Sequence, residues 1–539
     1  MVVFNNKKCL LRAVQFVVLI CLPTFYFEQM CFAKTIKTHA VLYGGITDSQ
    51  LDSIAQNYDI LIIGSVKKYQ LEKIKQINPD IVVLKYHHTI GMNSVYRDWS
   101  QVNKKEKWFV HDKATSKRVM QNRYGWYLMD MGNIDWRTHL ISQIIDTTSG
   151  MYDGVFLDDC WESYVAKFII PDFDRVPELD SRIINEWNDN IILFLKQLRE
   201  NYKKQIFING AYNSYLPYVD GAMHESFIHS TWNSDNFYHD SAAFERTIIE
   251  IEQILKADKT ILLSSGTKGD SGKSVFDLFK YCYSAYLLVS DNMTSFYFQP
   301  SQKRKGIPLF QEYALDLGEP LGPYSIYDLD GSDCSLLNNG DFKKGLDGWI
   351  VKGGSPVIEK IDNKNCCVVK FKGHGESADI VSSEFIPVSP NIKYKISAYC
   401  RSDENISGNK GYYKLGIKGR FYDKEYKRIS NLDLQFPQGK FNWMPFENSA
   451  LSPANAAFFK ITELGFIGDG KGVAWIRNLF FGTRKPGKYF QRKFSNGVVL
   501  VNPGDEKIKI SLTKNNEYIN VKEIQLNEKS GLIESGVFQ

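Results

Sequence analysis

Eight short apolar runs rich in β-branched and aromatic residues, with amphipathic stretches between them, recur from residue 38 to residue 300. They are His39–Ile46, Asp59–Ser65, Asp80–His88, Gly154–Cys160, Gln205–Tyr212, Gly221–Phe227, Thr260–Gly266 and Ser295–Gln299. The intervening stretches Asp48–Asn57, Tyr69–Ile77, Trp136–Thr147, Ser181–Tyr202, Ala242–Lys256 and Val275–Val289 place apolar residues three and four apart, the period of a helix with one buried face. Strands that alternate with helices read as parallel βα units, because parallel neighbours need a crossover connection and antiparallel ones do not. Eight strands within about 260 residues predict a (β/α)8 TIM barrel. A doubly wound open sheet is the competing fold. It wants a Gly-rich phosphate-binding turn after a strand, and none of the eight runs ends in one.

The chain has 539 residues, 43% of them hydrophobic, enough to bury more than one core. After Pro300 the pattern changes. Residues 331 to 483 show few helical periods and many short alternating runs split by Gly, Asn, Asp and Pro, as an antiparallel sandwich would. Tyr489 to Pro503 then reads as a hairpin around Asn496-Gly497. The expected division is a signal peptide over 1–33, a barrel over 34–330, an all-β sandwich over 331–484, and C-terminal β-strands over 485–539 that complete a small sheet beside the barrel. The sandwich would then be an insertion, which costs little at an exposed loop.

Lys7, Lys8 and Arg12, the largely apolar Ala13 to Phe27, and Cys31-Phe32-Ala33 have the order of a secretory signal. An uncleaved anchor is the alternative, but Gln15 and Pro23 interrupt a stretch already short of the ~20 residues a span needs. With the signal removed, no membrane span is expected, and the protein is placed in the secreted, periplasmic or cell-surface space. Of nine cysteines, Cys160, Cys282, Cys334, Cys366, Cys367 and Cys400 remain in the mature chain. Their spacing defines neither a zinc site nor a disulfide framework. A formal charge of +5 without a long basic run argues against nucleic acid as a partner. Oligomeric state is not legible.

In a barrel the chemistry belongs at the C-terminal strand ends. The fourth run, Val155-Phe156-Leu157, ends abruptly in Asp158-Asp159-Cys160-Trp161-Glu162, and the sixth delivers Glu225 to the same rim. Alternation along the strand lets only one of the two aspartates face the mouth, and the phase of Phe156 selects Asp158. Two carboxyls flanking one bond are what glycosidic cleavage requires, one to protonate the leaving oxygen and one to attack or to activate water. The bland readings are a helix N-cap or salt-bridged loop for Asp158 and Asp159, and a rim ion pair for Glu225. Tyr43, Lys85, Tyr86, His88, Asn209, Tyr212 and Gln299 lie at other strand ends, and Trp161, Tyr212 and Trp232 offer rings for stacking on sugar. The scattered histidines make no ligand spacing, so neither metal nor cofactor is expected.

Tyr152 to Asp159, preceded by Trp126 to Arg137, resembles the hypothetical glycosyl hydrolase family 15 group of bacterial glycosidases, and more distantly endo-alpha-1,4-polygalactosaminidase barrels. The resemblance covers residues 38 to 330 and the tail. It implies a glycan-hydrolysing TIM barrel with an aspartate on the fourth strand, here Asp158; Glu225 follows only from counting strands. Leu337 to Phe342 with Gly345 to Trp349 resembles the opening strand of β-sandwich carbohydrate-binding modules of the family 4 and 9 type, and Ala474 to Phe481 their closing strand. The expectation is a secreted glycoside hydrolase acting on a polysaccharide or oligosaccharide with Asp158, Glu225 and Asp159 at its centre. The alternative is a non-catalytic glycan-binding or envelope protein with a degenerate barrel. An esterase or deacetylase ranks last, since no Gly-x-Ser-x-Gly elbow is present.

Overall fold

The computed structural model describes residues 36–121, 124–162, 177–210, 213–230, 232, 238–268, 275–301, 308–328, 335–361, 366–407, 414–483, 487–513 and 521–535. The signal segment, Tyr212 and Cys334 lie outside the described residues. Eight strands form one parallel sheet in sequence order: β1 His39–Leu42, β2 Ile60–Ile63, β3 Val82–His88, β4 Gly154–Asp158, β5 Gln205–Asn209, β6 Gly221–His224, β7 Thr260–Gly266 and β8 Thr294–Gln299. Thr38 bridges Phe296 in parallel, and the Phe296 amide donates to the Lys37 carbonyl at 3.1 Å, so β8 returns to β1 and the barrel closes. The fold is a TIM barrel with further all-β sheets in the C-terminal region.

Closure buries each strand on both faces, which is why the runs are nearly continuous in apolar residues. Ile60, Ile62, Leu84, Phe156, Phe207, Met223 and Leu262 fill the interior. Their alternates pack outward on the helices α1 Leu51–Asn57, α2 Lys68–Ile77, α3 Ile134–Thr147, α4 Trp187–Asn201, α5 Ser241–Lys256 and α6 Val275–Val289. Two of these six helices start on side-chain caps. Asn133 accepts from the amides of Asp135 and Trp136 at 3.0 and 3.1 Å, and Asp240 from that of Ala243 at 2.6 Å. The expected helix Ser181–Tyr202 is broken at Glu186 into Ser181–Asn185 and α4. Among the described residues no α-helix separates β5 from β6, where the 3-10 turn Leu216–Tyr218 with Pro217 takes its place, and none follows β8 before the C-terminal sheet begins. Between β3 and β4 a flap of three short antiparallel strands, Gly91–Met92, Trp126–Leu128 and Met120–Gln121, stands beside the barrel mouth.

The C-terminal sheet has the order Ser325–Asp328, Lys488–Phe494, Gly497–Asn502, Ser530–Ser535. Its first strand precedes the sandwich and the others follow it. Arg492 ties it to the barrel by donating to the carbonyls of Leu287 and Ser290 at 3.0 and 2.8 Å, a cation at the C-terminal end of α6.

The sandwich is two antiparallel sheets around Val369, Phe371, Ile396, Ile417, Phe421, Phe459, Ile476 and Phe481. Its opening differs from the strand expected over Leu337 to Phe342. That segment is a series of turns, because Asn339 and Phe342 hold φ of 52° and 57° and the Asn339 side-chain amide donates to the carbonyls of Gly345 and Asp347, leaving no ladder to join. Leu337 and Phe342 are buried in the core all the same, and the first strand is Trp349–Val351. The sandwich rests on α5. Arg246 donates to the Pro445 carbonyl at 2.6 Å. Lys488 of the C-terminal sheet reaches Glu245 of α5 at 2.6 Å and the Tyr399 hydroxyl of the sandwich at 2.8 Å, and that hydroxyl donates to Glu245 at 2.9 Å. Burial works against the Lys488 ammonium, but Tyr399 and Glu245 outweigh it and hold the proton more tightly than usual. The five described cysteines, Cys160, Cys282, Cys366, Cys367 and Cys400, are free thiols.

Candidate active site

Three carboxylates meet at the mouth of the barrel because β4 and β6 end there with their inward phase on Asp158 and, one residue past the strand, Glu225. Asp158 collects three donors. Tyr86, two residues before the end of β3, gives its hydroxyl to Oδ2 at 2.6 Å, while the Asn209 amide at the end of β5 and the backbone N–H of Asp159 reach Oδ1 at 2.8 and 2.9 Å. The same Asn209 nitrogen donates to Glu225 Oε2 at 3.0 Å, and Trp232 gives Glu225 a second side-chain hydrogen bond. β5 lies between β4 and β6 in the sheet, so a side chain in its inward phase stands between the two acids.

Burial, followed by the charge of Asp159, pushes the Asp158 carboxyl above the ordinary aspartate range, against the pull of His88, Tyr86 and Asn209. Glu225 is raised in the same way, by burial and then by Asp158, with Asn209 and Trp232 opposing. Two neighbouring acids whose pKa values are both raised, and that are both furnished with donors for the anion, suit one neutral and one ionised carboxyl, the pair that acid–base chemistry on a bound group requires.

Asp159 leaves the strand at φ 52°, a left-handed turn that carries its side chain off the inward row. Its Oδ2 is 3.1 Å from Nε2 of His88, an electrostatic contact off the line of a hydrogen bond. The Gly91 amide donates to His88 Nδ1 at 2.9 Å, which leaves the proton on Nε2, toward Asp159, and Trp126 of the flap packs edge-on against the imidazole at 4.8 Å. Tyr43, half exposed just beyond β1, meets the Tyr86 ring edge-to-face at 5.2 Å.

Lys85, Trp161, Gln299 and Trp232 complete the set of candidates. Lys85 alternates with Tyr86 and faces out of the barrel, where its ammonium donates to the Gly64 carbonyl and burial lowers its pKa. Trp161 is anchored in the outer core, its carbonyl accepting from the Trp187 indole at 2.9 Å and from the Tyr215 hydroxyl at 3.0 Å. Gln299 ends β8 and donates to the Ser301 carbonyl at 3.4 Å. Trp232 is half exposed beside Glu225.

Sequence reasoning missed Tyr96, a phenol raised in pKa by burial and then by Asp158, with Asp159 adding to the push. It lies in the loop 93–98, where no period or motif singles it out. Also missed was the pair Ser214 and Glu162, a hydroxyl donating to a carboxylate between the loops after β5 and β4. Among the described residues no group of three or more His, Cys, Asp or Glu is arranged to hold a metal ion, and no helix is long and apolar enough to cross a membrane.

A closed parallel barrel with paired acids at its C-terminal rim is an arrangement that glycoside hydrolases use. The family model described as hypothetical glycosyl hydrolase family 15 matches residues 75–333, the part of the chain that holds β3 to β8, and the barrel is similar to that family over this range. Comparison with curated proteins finds no match. Among solved structures the chain is similar to the glycoside hydrolase domain of PelA from Pseudomonas aeruginosa, at 13% identity over 49% of this chain and 94% of that one, with a TM-score of 0.35. It is also similar to Aspergillus fumigatus Ega3 in complex with galactosamine, at 12% identity over 50% of this chain and 93% of that one, TM-score 0.34. A family 16 carbohydrate-binding module matches 27% of this chain over 98% of its own length, at 16% identity and TM-score 0.20.

Proposed function

We propose that the protein is a secreted glycoside hydrolase that cleaves a polysaccharide with retention of configuration, using Asp158 as nucleophile and Glu225 as acid and then base. The observation that carries this reading is the Asn209 bridge. One nitrogen 2.8 Å from Asp158 and 3.0 Å from Glu225 keeps the two oxygens within about 5.8 Å, near the ~5–5.5 Å of retaining enzymes and short of the ~6.5–9.5 Å that inversion needs for an intervening water.

In the first step Glu225 gives its proton to the glycosidic oxygen as the bond to the anomeric carbon breaks, and Asp158 attacks that carbon to form a glycosyl ester. In the second, Glu225 takes a proton from water, the water oxygen displaces Asp158, and both carboxyls return to their starting forms. Tyr86 and the Asp159 amide aim the nucleophile, and Asn209 holds both acids in register.

Asp158 and Asp159 make the mouth negative, which suits a glycan that bears free amines, in keeping with the resemblance to polygalactosaminidase barrels. On this reading residues 1–33 are a removed signal, the C-terminal sheet belongs to the barrel, and the sandwich is an insertion. The test is release of reducing ends from amine-bearing, acetylated and neutral glycans, with the anomeric configuration of the first product read by NMR. Wild type is expected to cut an amine-bearing glycan with retention. An Asp158→Asn variant as active as wild type would sink the assignment, and an inverted product would sink the nucleophile.

A further inference from the structure

The five-stranded sheet of the sandwich carries, on its outer face, an array that the barrel chemistry does not use. Register sets Trp475 opposite Lys370 on one side and Arg401 on the other, and Arg477 opposite Tyr399. Cations and rings then alternate. Lys370 Nζ lies 5.1 Å from the centre of the Trp475 ring, the Arg401 guanidinium 4.5 Å from Trp475 and 5.6 Å from Trp443, and that of Arg477 4.4 Å from Trp443 and 5.4 Å from Tyr399.

The carboxylates nearby do not neutralise the whole row. Lys370 pairs with Glu359 at 2.9 Å, which also takes the Trp475 indole N–H at 2.8 Å, and Arg401 pairs with Asp403 at 3.1 Å. Among the described residues no carboxylate pairs with Arg477, whose Nη1 donates only to the Cys366 sulfur at 3.5 Å. The Nε–H groups of Arg401 and Arg477 are buried and without an acceptor.

A guanidinium held between rings cannot turn, so it presents a fixed planar fork of N–H donors, the geometry that matches a carboxylate. Lys370 and Arg401 lie on the two strands that flank the one carrying Trp475 and Arg477, so each is a diagonal neighbour of Arg477, about 7–8 Å away. A row of anions along a polymer would fit it better than a single small ion.

We propose that this face binds an acidic polysaccharide, a chain of uronate-bearing sugars, with Arg477 and Arg401 taking its carboxylates and the half-buried ring of Trp443 packing beside its sugar rings. The barrel mouth, with the carboxylates of Asp158 and Asp159, repels such a chain. The sandwich therefore holds the protein on a polymer other than the one the barrel acts upon. This site stands on the sandwich's own residues and is unaffected if the barrel proves inactive.

The test uses the full-length chain and its retardation in gels cast with polygalacturonate, neutral dextran or polyglutamate. Wild type is retarded by polygalacturonate only, less so as salt rises. Arg477→Gln weakens binding on the order of tenfold, the loss of one charge-assisted contact, and Arg477→Lys recovers part of it. Lys370→Gln, at the more exposed end of the row, weakens it in the same direction and serves where the arginine variant fails to fold. Equal retardation by dextran or by polyglutamate overturns the acidic-sugar assignment. Wild-type binding by a folded Arg477→Gln or by Lys370→Gln overturns the site.

Discussion

Replacing Asn209 by Ala removes the one donor that both acids share. A hydrogen bond to a charged group contributes roughly 1.5–3 kcal/mol, and about 1.4 kcal/mol corresponds to one pH unit, so each carboxyl is expected to titrate about one to two pH units higher. Asn209 stabilises the ionised form of both groups, and its loss moves both in the same direction. Asp158 must be ionised to attack, which sets the acid limb of the pH–rate profile. Glu225 must be protonated to donate, which sets the alkaline limb. The whole bell should therefore move to higher pH. Tyr86→Phe is the companion variant, since Tyr86 donates to Asp158 alone, and it should raise the acid limb with little movement of the other. The assay is initial-rate reducing-end release across about pH 3 to 9 under kcat/KM conditions. A profile for Asn209→Ala that stays in place or moves to lower pH refutes the bridge. An alkaline limb that Tyr86→Phe moves as far as Asn209→Ala does refutes the division of roles between the acids.

Asp158→Asn should stabilise the fold while abolishing cleavage. The folded pKa of Asp158 is raised, so the wild type bears the cost of a buried charge fully above that pKa and not at all below the ordinary aspartate value. The gain, about 1–2 kcal/mol by chemical denaturation at neutral pH, should fade as pH falls through the raised folded pKa and be gone below about 4, and a gain independent of pH would exclude this cause. Lys488→Met strands the Glu245 carboxylate, whose side chain is 4% exposed, with only the Tyr399 hydroxyl, and should cost about 3–5 kcal/mol; adding Glu245→Leu should restore much of it. Trp349→Ala should cost about 3–5 kcal/mol from the sandwich core, where the ring packs on Phe342 and its indole donates to the Asn339 carbonyl. Trp232→Ala, at a half-exposed ring, should change stability by less than about 0.5 kcal/mol yet lower kcat/KM through the lost donor to Glu225.

The barrel was legible because closure buries every strand twice, and double burial writes a continuous apolar run that turn residues then interrupt. Strand ends were less legible. The run Gly154–Cys160 continues in sequence past the point where the ladder stops, since the left-handed turn at Asp159 is set by its contacts and not by its residue type. The sandwich opening failed for a related reason: Leu337 to Trp349 has the apolar spacing of a strand, but Asn339 ties the backbone into turns that still bury Leu337 and Phe342. Tyr96 left no trace, because a loop residue reaches the acids through a path that only the folded flap defines. The interleaving of Arg401 and Arg477 with Trp443 and Trp475 was likewise hidden, since these rings and cations come from three strands and alternate only once Trp475 is set opposite Arg401.

Lys85 and Asn209 show how far strand phase reaches. Side chains alternate, so of Lys85 and Tyr86 only one can face the mouth, and His88 shares its phase with Tyr86. Placing Tyr86 and His88 at the mouth therefore turns Lys85 outward by alternation alone. The same logic extends across the sheet. In a barrel of consecutive parallel units the fifth strand must lie between the fourth and the sixth, so a polar residue ending the fifth in the inward phase has to stand between carboxylates that end its neighbours. Taken singly, Asn209 is one sugar contact among several. Strand order makes it the residue placed to fix the distance between the two acids, and with it the stereochemical course that the pair can follow.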